Sequence, residues 1–548
     1  MCADGGRARG SWSLRASRAR SWRLVSWNAR DVRYGCFQCL CASLGSALPI
    51  DATNNAPADA PPSSAAFRRD VSLLSLAALV WHAFWASTIP QPVDWDPAYY
   101  LDVATNIAEG RGAVSGAVWQ LAGLPETLPQ PADLHWMPVP SRVLVPFVWL
   151  AGGSGASAMT VLLMAGWVPI AAQLARVLGA SRAATCGAGF LAAMAGGYVR
   201  FGSTPDSIAV FGVVAGLAWL SAARGRAVHT AVWVLLAAWT RGDGFVLAPA
   251  VGLVLWGVGR WRAGMGVAGI GPLGFAIWMG RSWIVGGEAW WAARLASGRA
   301  VHIHDLQLGR VVEPTVLQRL QGVLDGFQGA VSTALLVGVV FLPFLAVAGV
   351  WMRRHHPLVK GAGVYALSVV VLTHGLAPGV AASGSIFRCG AAVFPMFCAL
   401  GAVAAVRLGV LGHHHRGYPR RLVPLVLAGG FAIGSGAIGV GTWTARPGPG
   451  VDCLTQGVED AAPVFSGRPL LVRSTCGRSS VALYRTEAPD AVKRRAQRYG
   501  IQEAWLPDTD PDPMVATRAD AAALLPDWQE RAPGVWVRPD TPSSTTAD

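Results

Sequence analysis

Charged residues are scarce in this chain of 548 residues, at 14% against 53% hydrophobic residues. So little charge excludes an ordinary soluble enzyme, and so much apolar sequence excludes a disordered chain. The chain has no P-loop, no GxGxxG turn after a predicted strand and no GxSxG elbow, which speaks against ATP-driven transport and hydrolase chemistry. No fixed-period repeat occurs, which disfavours solenoids and propellers.

Long apolar runs are what the chain has instead. They recur through its middle, and each is long enough to cross about 30 Å of hydrocarbon as a helix. We therefore predict an all-α multi-pass membrane protein with about eleven transmembrane helices. The predicted spans lie near 71–90, 155–178, 183–199, 206–222, 228–240, 244–258, 264–286, 330–351, 360–377, 388–408 and 422–443.

The charge imbalance predicts the orientation in the cell membrane. The formal charge of +14 comes almost wholly from arginine, which suggests cytoplasmic loops and lipid phosphates as partners and no nucleic acid. The positive-inside rule places the side with most basic clusters in the cytoplasm, so the N-terminus is predicted inside and the C-terminus outside. These clusters are Arg68/Arg69, Arg176/Arg182, Arg224/Arg226, Arg260/Arg262, Arg353/Arg354/Lys360 and Arg407/Arg416/Arg420/Arg421.

Composition divides the chain into three parts. Residues 1–70, basic and then rich in Ala, Pro and Ser, are predicted to be a disordered cytoplasmic leader. Residues 71–443 form the transmembrane part, with large outer loops at 91–154 and 287–329. Residues 444–548 are predicted to be a small extracytoplasmic α/β domain, because their apolar runs are short. Its predicted strands are 470–472, 481–484, 504–507 and 535–537, with a helix between Pro489 and Gly500.

The nine cysteines fall into separate groups. Three lie close together in the leader (Cys36, Cys39 and Cys41), but no second pair at metal-site spacing follows them, so we interpret them as unpaired thiols. Cys453 and Cys476 are the only cysteines of the predicted outer domain. Because the outside of most cells is oxidising, we predict a disulfide between these two.

The first outer loop, VDWDPAYYLDVATNIAEGRG at 93–112, is the most informative segment. Its apolar residues repeat at helical spacing, which predicts a short amphipathic helix that begins at Pro97 on the membrane surface. Asp96 would then be the N-cap, with Asp94 two residues earlier. Asp before Pro is also what an ordinary helix cap looks like. Just outside the first span, however, Asp96 could act as a general base on an acceptor hydroxyl.

This segment resembles the opening signature of the GT-C class of integral-membrane glycosyltransferases, which includes protein O-mannosyltransferases and lipid A aminoarabinose transferases. Looser similarity continues at 135–152, 204–212, 240–249 and 387–401, so the resemblance covers roughly residues 71–445. The residues that match the signature are Asp96, Tyr99, Tyr100, Ala104, Asn106, Ile107 and Gly110.

The resemblance implies transfer of a sugar from a polyprenyl-phosphate donor to a glycolipid, glycan or protein acceptor on the outer face, with Asp96 as the catalytic acid or base. Two positions depart from the family pattern. Pro97 replaces an acidic residue, and Tyr99 replaces a basic residue that contacts phosphate in some members. A divalent cation stays open as a cofactor, although Asp96 and Asp94 alone are too few ligands for a cation cage.

Several further residues are candidates for binding the substrate. Four arginines, Arg142, Arg200, Arg241 and Arg388, lie at predicted outer ends of spans, against the positive-inside rule. Arg241, with Asp243, and Arg388 also lie in the family-like motifs; the alternative is that they only snorkel to the interface.

The remaining candidates carry weaker signals. His135 could face the same cavity as Asp96, and Tyr100 belongs to the signature. Asp206, after Thr204-Pro205, is interpreted as a helix N-terminal charge. The cluster of His302, His304 and Asp305 is interpreted as a solvated loop.

Two other classes of function remain open. A secondary transporter or flippase of a lipid or small solute could use the same outer charges as a gate, but no internal repeat of the kind common in transporters is found. A non-catalytic scaffold that presents the soluble tail would not need the Asp96 segment at all.

Overall fold

The computed structural model of the protein describes residues 64–88, 95–118, 125–307, 331, 335, 338–372, 385–444, 462–466, 469–485, 487–508 and 516–539, with the backbone alone over 288–307. Residues 1–63 of the predicted leader lie outside this part of the chain, as do Cys36, Cys39, Cys41, Asp94 and Cys453. Residues 64–70 already belong to the first helix, which therefore begins before the predicted span at 71–90.

The described residues are mainly helical. The helices are α1 Ser64–Thr88, α2 Trp95–Ala108, α3 Pro138–Val177, α4 Arg182–Met194, α5 Ser207–Ala223, α6 Ala227–Ala238, α7 Leu247–Gly257, α8 Trp261–Gln307, α9 Phe341–Met352, α10 Pro357–Val370, α11 Ser385–Cys389, α12 Phe394–Arg416, α13 Leu422–Thr444, α14 Pro469–Cys476, α15 Pro489–Tyr499 and α16 Ala521–Leu524. Short 3-10 turns precede α5, α7, α12 and α16.

Five of the described helices are long and apolar enough to cross a membrane: Ser64–Thr88, Pro138–Val177, Trp261–Gly287, Phe394–His415 and Leu422–Gly441. A sixth is possible by length if Gly196–Ser203 and Ser207–Ala223, which are bent by 120°, form one broken span. Four shorter apolar helices overlap predicted spans: Ala227–Ala238, Gly242–Gly257, Phe341–Met352 and Pro357–Val370. The predicted number of eleven spans stays a prediction.

Two of the predicted outer loops contain helix. Helix α3 begins at Pro138, inside the outer loop predicted at 91–154. The backbone of α3 leaves helical geometry only at Ala151 and Gly152, and Gly152 has a φ of 57°. The apolar run before this break belongs to the predicted outer loop. Helix α8 leaves helical geometry at Gly287, where the second predicted outer loop begins, and its helical backbone then continues to Gln307. His302, His304 and Asp305 therefore lie on a helix and not in an irregular loop, and their side chains lie outside the described part.

Large aromatic side chains fill the centre of the helical part. Trp167, Tyr198, Phe211 and Trp219 are fully buried in one apolar cluster. The indole of Trp167 packs directly on α5 because Gly212 has no side chain, and a Cβ there would lie 2.3 Å from a Trp167 ring carbon. Such close packing between small and large residues fixes how the helices lie against each other.

Predicted cytoplasmic basic residues meet at one end of the helices. Arg182 Nε donates to Asp70 at 2.7 Å, Arg224 donates to Gln173 at 2.7 Å, and the Arg176 guanidinium lies 4.4 Å from the centre of the Phe67 ring. Helix α2 follows the other end of α1, at the far end of the bundle. The basic ends of α3, α4 and α5 are thus separated from the Asp96 segment.

A six-stranded sheet joins the first outer loop to the C-terminal segment. Its strands are β2 Ala117–Val118, β4 Val464–Ser466, β5 Ser480–Ala482, β6 Glu503–Trp505, β7 Gln529–Ala532 and β8 Val535–Val537. The order is β2-β5-β4-β6-β8-β7, parallel from β2 to β6 and antiparallel at β8 and β7. Two more short strands, β1 Val114–Ser115 and β3 Gln130–Pro131, pair with each other beside it.

Most of the elements predicted for the C-terminal segment are found in the structure, and one predicted strand is not. Strands are found within or beside the predicted segments 481–484, 504–507 and 535–537, and the predicted helix is α15, which ends at Gly500 with a φ of 66°. The strand predicted at 470–472 was wrong, because Leu470 and Val472 lie in α14. Three consecutive apolar residues do not distinguish a short strand from a short buried helix.

Candidate functional site

Asp96 forms the centre of a polar site at the far end of the helical part. The side chain belongs to the second residue of α2 and not to the predicted N-cap, because the helix already includes Trp95. Its Oδ2 accepts a hydrogen bond from Nη1 of Arg388 in α11, and its Oδ1 accepts one from Nε1 of Trp136 at 3.1 Å. Both members of the ion pair are mostly buried, with side chains 15% and 17% exposed.

Trp136 connects Asp96 to two other sequence candidates. Its ring stacks on Tyr99 with the centroids 4.2 Å apart, and it lies edge-on to His135 at 5.0 Å. His135 therefore lies beside Trp136, next to the Asp96 site. Sequence reasoning did not single out Trp136, although it lies inside the family-like segment 135–152.

Tyr100, one turn after Asp96, faces a second group of polar residues. It is buried and interacts with the side chain of Ser207, the first residue of α5. Burial, and then the Asp96 and Asp206 carboxylates, raises the pKa of the Tyr100 hydroxyl well above its usual value. The phenol is therefore protonated at neutral pH and can donate a hydrogen bond.

Arg241 joins this group from the turn before α7. Its Nε donates to Asp243 Oδ1 at 2.9 Å, and its Nη1 donates to Ser207 Oγ at 3.3 Å. The Arg241 and Asp243 side chains are only 12% and 10% exposed. The structure thus brings four predicted residues, Asp96, Tyr100, Arg241 and Arg388, to one end of the bundle, linked in part through Ser207.

Two carboxylate oxygens near this group have no hydrogen-bond donor among the described residues. One is Oδ2 of Asp206, whose Oδ1 accepts from the Ser207 hydroxyl at 3.0 Å and from the backbone N–H of Ile208 at 3.1 Å. Asp206 is thus the N-cap of α5, in agreement with the predicted helix N-terminal charge. The other oxygen is Oδ2 of Asp243. A buried acceptor of this kind is costly unless water or a bound hydroxyl group donates to it.

Arg142, another predicted phosphate contact, is already paired. Its guanidinium contacts both carboxylate oxygens of Asp133, at 2.7 Å to Oδ1, and the Asp133 side chain is only 1% exposed. The Asp133 backbone N–H donates to the Tyr99 hydroxyl at 2.7 Å, and its carbonyl accepts from Trp278 at 2.8 Å. Arg142 therefore holds the loop before α3 in place, and sequence reasoning missed Asp133.

The other predicted site features have less structural support. Arg200 lies 5.4 Å from the centre of the Phe201 ring, which fits an interfacial side chain. Cys476 is disulfide-bonded, and its partner and Cys453 both lie outside the described residues. No group of three His, Cys, Asp or Glu residues in the described part is arranged to hold a metal ion, so we derive no step through a cation.

Comparison with known proteins places this geometry in a structural class. No protein-family model matches the chain, and no curated protein matches it significantly. The chain does match solved structures. The oligosaccharyltransferase of Archaeoglobus fulgidus in the apo form has a TM-score of 0.51 at 11% identity, over 81% of this chain and 69% of that one. With a tethered acceptor peptide containing the NVT sequon, it gives 0.50 at 12% identity, over 80% and 68%.

A second solved protein is similar over most of its length. ArnT from Cupriavidus metallidurans, bound to undecaprenyl phosphate, has a TM-score of 0.50 at 15% identity, over 78% of this chain and 88% of that one. Both proteins are GT-C glycosyltransferases. The present chain has the GT-C fold, as its first outer loop indicated. Identities this low show the fold alone.

Proposed function

We propose that this GT-C-fold protein transfers a sugar from a polyprenyl-phosphate donor to an acceptor on the outer face of the membrane, with Asp96 as the general base. The observation that carries the proposal is the mostly buried pair of Asp96 and Arg388, with a second buried arginine, Arg241, in the adjoining group. Two GT-C structures are consistent with these ligands, since ArnT was solved with undecaprenyl phosphate and the archaeal enzyme with an acceptor peptide.

The orientation of the chain supports an outer site. Arg176, Arg182 and Arg224 gather at the end of the helices remote from Asp96, and the positive-inside rule makes that end cytoplasmic. In this orientation the N-terminal side of α1 is inside, and α2 together with the sheet of the C-terminal segment is outside. The donor would present its phosphate at the outer leaflet.

The ion pair suggests how donor binding prepares the base. In the structure Arg388 stabilises the charge of the Asp96 carboxylate, and a carboxylate held by arginine is a weaker proton acceptor than a free one. A donor phosphate is a stronger partner for a guanidinium, because it offers several charged oxygens. Phosphate binding would draw Arg388 from Asp96 and leave the carboxylate facing the acceptor.

Transfer then proceeds as a direct displacement. The acceptor oxygen or nitrogen forms a bond to the anomeric carbon while the bond from that carbon to the phosphate oxygen breaks. The proton of the acceptor passes to Asp96, and the bonding electron pair leaves with the phosphate, whose growing charge Arg388 and Arg241 stabilise. The products are the glycosylated acceptor and free polyprenyl phosphate.

The unpaired carboxylate oxygens give this site a means to recognise the sugar. Oδ2 of Asp206 and Oδ2 of Asp243 accept no hydrogen bond from the described residues. A sugar bears several hydroxyl donors, and each could satisfy one of these oxygens. Tyr100, protonated at neutral pH, offers a donor beside them. We assign the sugar-binding role to Asp206, Asp243 and Tyr100.

For Asp206→Asn, we expect binding of the sugar-bearing donor to weaken by about tenfold, because an amide is a poorer acceptor for a hydroxyl than a carboxylate. Asn caps a helix as well as Asp does, so α5 should keep its N-terminus. Binding of bare polyprenyl phosphate, which lacks the sugar, should be unchanged. Titration of both lipids into the purified variant measures the difference. An equal loss for both lipids would contradict the sugar-binding role.

Release of free polyprenyl phosphate tests the function as a whole. Purified protein in lipid nanodiscs should convert polyprenyl-phosphate sugars to polyprenyl phosphate only when an acceptor from the cell envelope is added, with a matching gain of mass on the acceptor. A transporter or flippase would move such a lipid across vesicles without cleaving it. Movement without cleavage across a panel of donor sugars would replace the transferase with the transporter.

A further inference from the structure

A buried carboxylate in the middle of α2 gathers four hydrogen bonds. Asp102 is six residues after Asp96 on the same helix, and its side chain is only 4% exposed. Its Oδ2 accepts from the Ser115 hydroxyl at 2.8 Å and from the backbone N–H of Gly116 at 3.0 Å. Its Oδ1 accepts from Asn106 at 3.1 Å and from Nε of Arg473 at 2.8 Å. Arg473 alone among these donors comes from the C-terminal segment.

Arg473 belongs to α14, which packs directly on α2. The side chain passes so close to Gly116 that a Cβ at that position would lie 2.7 Å from the arginine Nε. Leu470, one turn earlier in α14, is 1% exposed in an apolar cluster with Tyr99 and Tyr100 of α2. The C-terminal segment thus contacts the Asp96 helix through the ion pair of Arg473 with Asp102, a hydrogen bond from Arg473 to Asn106 Oδ1 at 3.5 Å, and the buried Leu470.

Backbone hydrogen bonds tie the two segments together as well. The Ser480 N–H donates to the Gly116 carbonyl at 3.0 Å, and Ala117 pairs with Ser480 in the parallel register of β2 and β5. The loop that follows α2 is therefore an edge strand of the C-terminal sheet. Asp102 receives hydrogen bonds at the point where this strand, α14 and α2 meet.

We propose that Arg473 is a positioning residue: by holding Asp102, it fixes α2 and so sets the Asp96 carboxylate against Arg388. The proposal rests on the proposed transferase function. Six residues along a helix correspond to about 9 Å, so a tilt of α2 by about 6° around Asp102 moves Asp96 by about 1 Å. Misplacing a catalytic group by about 1 Å can cost on the order of 100-fold in rate. The C-terminal segment is then part of the catalytic apparatus without touching the reacting atoms.

The test compares Arg473→Gln, Asp102→Asn and the double variant in the full-length chain. We expect the turnover number to fall about 10- to 100-fold in each, with the dissociation constant of bare polyprenyl phosphate, whose assigned arginines are not on α2, within about twofold of the parental value. Because both changes break the contact between Arg473 and Asp102, the double variant should lose clearly less than the sum of the two single losses. Arg473→Lys, which keeps the charge, should recover part of the rate.

Arg478→Gln is the matched control. Arg478 is a buried arginine of the same segment, paired with Glu503 at 2.6 Å and donating to the Ala462 carbonyl at 3.0 Å, both within that segment. The Arg478→Gln change should lower the stability of the sheet and leave the turnover number of the folded fraction unchanged. Amide hydrogen exchange provides a readout that needs no transfer assay: exchange across α2 should accelerate at least tenfold in Arg473→Gln and not in Arg478→Gln.

The outcomes separate this inference from the proposed function. Parental turnover and parental α2 exchange in Arg473→Gln and Asp102→Asn would overturn the positioning role. A loss of rate equal to that of Arg478→Gln would overturn it too, because general damage to the sheet would then explain both. If the parental protein transferred no sugar while α2 exchange still depended on Arg473, the transferase would fail and the mechanical role would stand.

Discussion

Asp96→Asn should slow sugar transfer by roughly 100- to 10,000-fold while donor binding stays near the parental value. The asparagine amide has no usable basicity near neutral pH. It therefore cannot take the proton that the sugar acceptor must lose. The variant keeps an oxygen that can accept from Trp136, whose indole lies 3.1 Å from the parental carboxylate. Single-turnover kinetics with saturating donor, together with a donor titration, measure the two quantities separately.

A double variant tests the role of Asp96 against a purely structural explanation. Asp96 lies within the helix and pairs with Arg388, so the competing explanation is a structural ion pair. Replacing both members of such a pair by leucine is often neutral for stability. A structural pair would therefore give an active Asp96→Leu/Arg388→Leu protein, whereas a catalytic pair would give a folded protein without transfer. Parental rates in Asp96→Asn would refute the assigned mechanism.

Arg388→Leu should weaken donor binding by about 2 to 5 kcal/mol, because the mostly buried guanidinium is the group we assign to the donor phosphate. Part of this loss reflects Asp96, which is left without its partner and repels the incoming phosphate. Bare polyprenyl phosphate should lose as much affinity as the sugar-bearing donor, which distinguishes Arg388 from Asp206. Arg388→Lys should recover the charge but not the two-pronged geometry of the guanidinium.

Arg142→Leu is the matched control for Arg388→Leu. Arg142 also precedes the membrane-spanning part of a helix, but its guanidinium is paired with Asp133. The folded fraction of this variant should bind donor within about twofold of the parental protein, since other groups hold the phosphate. Arg241→Leu should resemble Arg388→Leu if Arg241 also contacts phosphate. Unchanged donor affinity in both Arg241→Leu and Arg388→Leu would return these residues to an interfacial role.

Much of the site was predictable because its signals are local. An acid after an apolar run, followed by helical spacing and an aromatic pair, identified α2, Asp96 and Tyr100 within one stretch of twenty residues. Arg241 and Arg388 were found because arginine is unexpected at an outer end. Asp206 was recognised as a cap from its neighbours alone, and the structure confirms the cap.

Other residues had no local signal. Trp136, Asp133 and Ser207 look like ordinary loop or helix-end residues, and only packing shows that they contact Asp96, Arg142 and Arg241. The partner of Arg142 gave no signal for the same reason, because Asp133 lies nine residues away in a loop without periodicity. The strand predicted at 470–472 is a helix whose Leu470 packs on α2, a tertiary contact that a run of three apolar residues does not reveal.

The sequence by itself determined that this protein is a helical membrane protein, which end of its helices is basic, and where its Asp96 helix lies. These properties depend on hydropathy, charge and capping, which act over one helix length. Only the packing of the helices and strands shows which charged residues form ion pairs. Asp96 and Arg388 are 292 positions apart, and Asp102 and Arg473 are 371 positions apart. Such pairs form because helices and strands that are individually predictable pack in one arrangement. The energy of that packing comes from contacts throughout the interior, so neither segment alone reveals its partner.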